Sequence, residues 1–272
     1  MLPASLVLPV TTAAAVALLC WLLSLVFREY SWIDRLWSIL PPVYVIMLAS
    51  RAGFADARLD LMAALTTLWG ARLTFNFARK GGYAKGGEDY RWAILRARMP
   101  APLWHVFNLL FICAYQSLLL LLIALPAFTA LDHAGPQRPL GPLDAVAAAG
   151  FVLLLIGETW ADEQQWRFHL AKKARRERGE AEPLGFLDTG LFAWSRHPNF
   201  FCEQGMWWMV YLFAVAASGR WLHLTIAGPI LLTLLFQGST SFTESITASR
   251  YPGYSTYQQR VSRLVPWPPR RR

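Results

Sequence analysis

Charge is what this sequence has least of. Only 16% of its 272 residues are Asp, Glu, Lys or Arg, against roughly 25% in a typical soluble domain. That deficit excludes a well-solvated surface over most of the chain. Cysteine is scarce too. Cys20, Cys113 and Cys202 all lie among apolar residues, with no CxxC or Cys/His spacing, so no metal site is expected and they read as small buried hydrophobes. No glycine-rich turn follows a strand pattern, which removes the soluble dinucleotide fingerprint and the P-loop. No repeat of fixed period is evident, so a transporter built from inverted repeats lacks its main sequence sign. The first apolar run has neither a preceding Lys or Arg nor a small-residue cleavage pattern, and does not read as a cleavable signal.

What is present is hydrophobic. Some 55% of the residues are apolar or aromatic, including 13 Trp and 16 Phe, types that concentrate at bilayer interfaces and in membrane cores. The expectation is an all-α polytopic membrane protein forming one integral-membrane domain. Spans need roughly 20 apolar residues, and seven are expected, at about 5–27, 36–50, 60–78, 105–130, 143–166, 200–217 and 221–240. A tail follows over 241–272. Pro41-Pro42 is expected to kink or partly break the second span. With the N-terminus outside, only Arg51, Arg58, Arg138 and Arg220 of the 26 Lys and Arg fall on the outer side. The positive-inside rule then places the C-terminus in the cytoplasm. The net charge of +9 is spread in short blocks between apolar runs, which argues against nucleic acid.

The polar residues gather near the inner side. Glu158 and Asp162 are four apart and share a helix face, either turned to a cavity or reaching interfacial water. In Ser195-Arg196-His197-Pro198-Asn199, Pro198 suits a first helical turn and Ser195 suits a cap. Arg196 and His197 then stand beside free amides, a setting for a phosphate or carboxylate. Asn199, Glu203 and Trp207 recur at i, i+4 on that helix, an amide and a carboxylate able to bond a ligand. The alternative is a structural Arg196–Glu203 ion pair beside a Trp belt. Arg72, Asn76 and Arg79-Lys80 make a polar stripe on the third span. The run from Lys172 to Arg178 is either a headgroup-facing surface or a phosphate contact, with Arg175 and Arg176 its candidates. Tyr251, Tyr254 and Tyr257 are expected on one face at the membrane surface, and Arg270-Arg271-Arg272 against anionic lipid.

Three segments together resemble a known group: GLFAWSRHPNFFCEQGMWW, the WGARLTFN…EDYRW block, and SRYPGYSTYQQRVSRLVP. From the WIDRLWS segment onward, the chain resembles the bacterial domain-of-unknown-function branch of the steroid 5α-reductase superfamily. A stretch similar to RHPN(Y/F)xxE occurs in isoprenylcysteine carboxyl methyltransferases and related sterol reductases, and DRLWS and EDYRW make the assignment to this branch much more specific. The resemblance implies a seven-helix membrane reductase that holds NADPH in a cavity opening to the cytoplasm, and a place in a bacterial inner membrane. The superfamily's cofactor-binding Asn and Glu fall on Asn199 and Glu203, and its fifth-helix Asp falls on Asp162. Its catalytic Glu and Tyr do not carry over, since Asp34-Arg35 and Trp69-Gly70 stand near those positions.

The leading expectation is a membrane-embedded, NAD(P)H-dependent reductase of a lipid-soluble enone, with membrane lipid as its surroundings. Hydride would pass to the carbon β to a carbonyl while a polar group stabilises the enolate. Asp34 with Arg72, or Tyr90, are the candidates for that group. Asp162, Arg196, His197, Asn199, Glu203, Asn76 and Arg79 are the candidates for the cofactor. An S-adenosylmethionine-dependent membrane methyltransferase is the first alternative, although Glu244 is followed by Ser245 where that group tends to show a paired Glu. A non-enzymatic membrane protein is the second.

Overall fold

The structure, a computed structural model, describes residues 2–135, 139–180 and 184–270. Arg271 and Arg272 of the basic terminus, and Arg138, lie outside the described residues. The described chain is helical, and its one β-bridge joins Ser195 to Ser262. The helices are α1 (Ala4–Phe27), α2 (Trp32–Leu36), α3 (Leu40–Arg51), α4 (Ala57–Arg79), α5 (Tyr90–Ala97), α6 (Ala101–Ala124), α7 (Pro126–Asp132), α8 (Pro142–Glu177), α9 (Pro198–Ser218), α10 (Ala227–Arg250) and α11 (Tyr254–Arg260). Short 3-10 turns stand at Gly190–Ala193 and Leu224–Ile226.

Five helices are long and apolar enough to cross a membrane: α1, α6, α8, α9 and the stretch Leu224–Arg250 that contains α10. This is a membrane protein by composition and helix length alike. The expected second span is the 12-residue α3, about 18 Å long at 1.5 Å per residue. A bilayer core is nearer 30 Å. The expected span is interrupted just before Pro41 and Pro42, by a turn over 37–39, and the prolines open α3 at positions where a missing N–H costs no helical bond. The expected third span, α4, has the length at 23 residues, but carries Arg58, Asp60, Arg72 and Arg79 and stands outside the five. Two helices overrun their expected ends. α8 continues to Glu177 and α10 to Arg250, because no Gly or Pro follows until Gly179 and Pro252, and the α8 extension is rich in strong helix formers.

The chain divides into two compact units. The first comprises residues 1–149 and 208–232, the second residues 150–207 and 233–272. In the first, α3 packs against α4, α6 and α7. Tyr44, Leu48, Leu59, Met62 and Trp69 are buried completely there. Gly70 lets the backbones meet, since a Cβ on it would lie 2.4 Å from the Ser38 carbonyl oxygen. Asp56 caps α4 by accepting the Arg58 and Leu59 N–H groups at 3.1 and 3.0 Å. Within α6, Asn108–Tyr115 is π-helical. Its Phe107, Phe111 and Tyr115 rings stack in series, centroids 4.9 and 5.4 Å apart. In the second unit, Cys202 Sγ lies 3.0 Å from where a Cβ on Gly157 would stand. α8 and α9 therefore run close enough for their polar residues to meet.

Candidate functional site

The second unit holds a concentration of buried charge. Glu158 and Asp162 on α8 and Glu203 on α9 are each 4% exposed. Asn199 stands in the first turn of α9, and its Nδ2 lies 3.4 Å from Asp162 Oδ1. One turn further, Glu203 Oε1 accepts the Trp207 indole N–H at 3.2 Å. The i, i+4 spacing read from the sequence thus appears as one face of α9 carrying an amide, a carboxylate and an indole. Asp162 is brought to the amide end of that face. Carboxylates at membrane depth are costly unless bonded, and this group supplies acceptors beside a half-buried amide.

Arg196 and His197 are engaged elsewhere. Glu244, near the end of α10, takes Arg196 Nε and Nη2 at 2.6 and 3.0 Å. It also takes His197 Nε2 at 3.0 Å and Gln258 Nε2 at 2.9 Å. Arg196 Nη1 donates to the carbonyls of Gln258, at 2.9 Å, and of Val261. The amides expected to stand free before α9 are occupied as well. Arg196 N–H bonds the Ser262 carbonyl at 2.8 Å and His197 N–H the Arg263 carbonyl at 3.1 Å. Ser195 Oγ accepts from His197 N–H at 3.2 Å and donates to the Leu264 carbonyl at 2.7 Å. The C-terminal segment therefore fills the place proposed for an anion. Glu244, which entered the sequence reading only as the place where a methyltransferase tends to show a paired Glu, is the centre of this network and was not among the candidate site residues.

Tyr254 and Tyr257 turn their rings into the protein rather than outward. Both are buried around Phe186, with centroids 4.9 and 5.3 Å away, and Tyr257 OH donates to the Phe192 carbonyl at 2.5 Å. Burial pushes both phenols above the ordinary tyrosine range. Tyr251 accepts Lys172 Nζ at 2.8 Å, so the first lysine of the basic run is a structural clasp. Arg175 and Arg176 close α8, half-buried and exposed respectively.

The catalytic candidates lie in the first unit. Asp34 Oδ2 accepts the Trp92 indole N–H at 2.7 Å, and Ser31 Oγ accepts the Asp89 N–H at 2.9 Å. Those bonds tie α2 to the start of α5. Tyr90, on the same helix, is 49% exposed. Arg72 is half-buried on α4. Asn76 Oδ1 accepts Arg79 Nε at 2.9 Å, and the Arg79 guanidinium lies over the Phe75 ring, so that pair forms within its own helix.

Asp34 also offers a test of its surroundings. Burial, reinforced by the Asp89 carboxylate, pushes its carboxyl up to about 6 despite the Trp92 and Ser31 hydrogen bonds. The folded pKa lies above the unfolded value of about 3.9, so the fold favours the protonated form. That contribution is complete below the unfolded pKa and is lost as pH rises through about 6. Asp34→Asn keeps an acceptor for Trp92 without the charge. Wild type is expected to lose thermal stability relative to Asp34→Asn between about pH 4 and about pH 7. Melting temperatures that stay parallel across that window would remove the account.

The fold and these clusters define an all-helical membrane protein with buried carboxylates bonded on its apolar helices. More particularly, residues 20–261 match the family described as Protein of unknown function (DUF1295), and the chain belongs to that family. It is 40% identical over 259 residues to an uncharacterized protein of the fission yeast Schizosaccharomyces pombe, covering 90% of this chain and 75% of that one. A fungal relative means that membership does not by itself point to a bacterial membrane. No solved structure matches the chain.

Proposed function

We propose that the protein is a membrane-embedded, NAD(P)H-dependent reductase of a lipid-soluble enone, distantly related to the steroid 5α-reductases. In this reading α3 and α4 join the five apolar helices as shorter or more polar spans, with the N-terminus outside and the C-terminal segment in the cytoplasm. The observation that carries the proposal is the Asp162–Asn199 contact with Glu203 one turn along α9. These are the residues at which the superfamily resemblance expects a cofactor.

The residue set fits the polar end of a dinucleotide. Two buried carboxylates accept from ribose hydroxyls, and the Asn199 amide both donates and accepts, as a carboxamide requires. The phosphates need cations. Arg196 and His197 are held by Glu244, and Arg175 and Arg176, the candidates read from the sequence, are the cations proposed for them. Bound NADPH would supply the hydride. Among the catalytic candidates, Asp34 is best suited to hold and release a proton, because a pKa of about 6 lies close to working pH.

The test is a titration of detergent-solubilised protein with NADPH, followed by thermal shift. Wild type is expected to bind, with Asn199→Ala and Glu203→Ala each weakening binding about tenfold or more, as expected where a ligand's polar group loses its partner. A wild type that ignores NADPH but responds to S-adenosylmethionine would replace the reductase with the methyltransferase. Response to neither would leave the buried carboxylates a structural role.

A further inference from the structure

The first unit contains a cavity of about 370 Å³ where α1 ends and α6 begins, which the reductase proposal does not use. Its size falls within the range of small-molecule sites. Arg28, Arg96 and His105 stand around it, and Tyr30 and Trp104 line its wall. The two rings meet edge to face at 4.8 Å. The Trp104 indole N–H is buried without a hydrogen-bond acceptor among the described residues, an uncommon and costly condition for a donor. Neither Arg28 nor Arg96 is in an ion pair with a described residue. Arg96 lies over the Tyr30 ring at 5.4 Å. It also acts on Glu88, but the Glu88 carboxylate already accepts the Tyr30 N–H at 2.6 Å.

The surroundings are apolar on the neighbouring turns. Val26 and Phe27 at the end of α1 are 73% and 62% exposed, and Leu103 and Val106 on α6 are 54% and 51% exposed. In an apolar helix such residues face lipid. Cations at the mouth, an unmet donor in the wall and lipid-facing side chains on both flanks match one kind of molecule: an anionic head joined to hydrocarbon tails.

We propose that this cavity holds the headgroup phosphate of an anionic phospholipid, with Arg28 and Arg96 as its charge partners. The acyl chains lie along the exposed ends of α1 and α6. The site is independent of any dinucleotide.

The experiment is native mass spectrometry of the full-length protein released from detergent after incubation with phosphatidylglycerol or with phosphatidylcholine. Wild type is expected to retain phosphatidylglycerol in preference. Arg28→Gln with Arg96→Gln is expected to reduce that retention about tenfold. Both side chains are exposed, so the double variant is expected to fold. Arg51→Gln with Arg220→Gln removes the same charge from two other exposed sites and is expected to retain the lipid as wild type does. Trp104→Phe, which keeps an aromatic ring without the N–H, is expected to weaken retention by a smaller factor. Equal retention of the two lipids, an equal loss in both double variants, or no loss in either would overturn the proposal. So would displacement of the lipid by inorganic phosphate at matched concentration, which would assign the cavity to the free anion.

Discussion

Glu244→Ala is expected to destabilise the protein by about 3–5 kcal/mol, the range for stripping one partner from a buried charge pair. The magnitude follows from what the substitution leaves behind. Arg196 and Glu244 have side chains only 9% and 6% exposed, and the carboxylate also holds His197 and Gln258. Without it the guanidinium keeps two backbone acceptors but loses its counter-charge, at a depth where water does not replace it. The damage spreads, because Arg196 joins the start of α9 to the chain around α11 through the Gln258 and Val261 carbonyls. Glu244→Gln keeps an oxygen in place and is expected to cost less. Arg196→Lys is expected to cost nearly as much as alanine, since an ammonium cannot make the two-pronged contact and reach two carbonyls besides. Denaturant unfolding in detergent, read by circular dichroism, measures all three. A Glu244→Ala loss below about 1 kcal/mol, the scale of a surface ion pair, would show that solvent reaches the network.

The contrast between Glu244 and Asn199 shows where the sequence is informative. Asn199, Glu203 and Trp207 are related by helix periodicity, a local rule, so their common face was legible from spacing alone. The Glu244 partnership joins positions 47 and 48 apart, and no periodicity reports such a pairing. For the same reason the amides before α9 read as free. Their acceptors are carbonyls of Ser262 and Arg263, in a segment without a hydrophobic pattern. The five apolar helices were legible because membrane crossing is a matter of length and composition. α3 and α4 were less so: the first is short, and the second mixes charges into a helix of spanning length. The tyrosines were legible in part: Tyr251, Tyr254 and Tyr257 do share a face, and all three meet Phe186. Their three-residue spacing carries no information about whether Phe186, some 70 positions earlier in the chain, will cover them.

The same reasoning about buried charge gives the opposite expectation for a second pair once both partners are replaced. Arg58 Nε and Nη2 meet the two Asp144 oxygens at 2.7 and 2.9 Å, with side chains 4% and 2% exposed. The Gly141 N–H adds a bond to Asp144 Oδ2 at 2.8 Å, and the Pro139 carbonyl accepts weakly from Arg58 Nη2 at 3.3 Å. Asp144→Ala is therefore expected to cost about 3–5 kcal/mol, as a buried cation is left alone. But the pair is incompletely satisfied, because Arg58 Nη1 is buried with no acceptor among the described residues. Desolvating both ions has a cost that this geometry only partly offsets. Arg58→Met combined with Asp144→Leu, of similar bulk, is then expected to recover most of the loss, to within about 1 kcal/mol of wild type. Denaturant midpoints of the single and double variants complete the cycle. If the double variant is as unstable as Asp144→Ala, the pair does more than neutralise itself. The Arg58 bond to the Pro139 carbonyl, which no apolar substitute replaces, would then be what holds the chain before α8 to the start of α4.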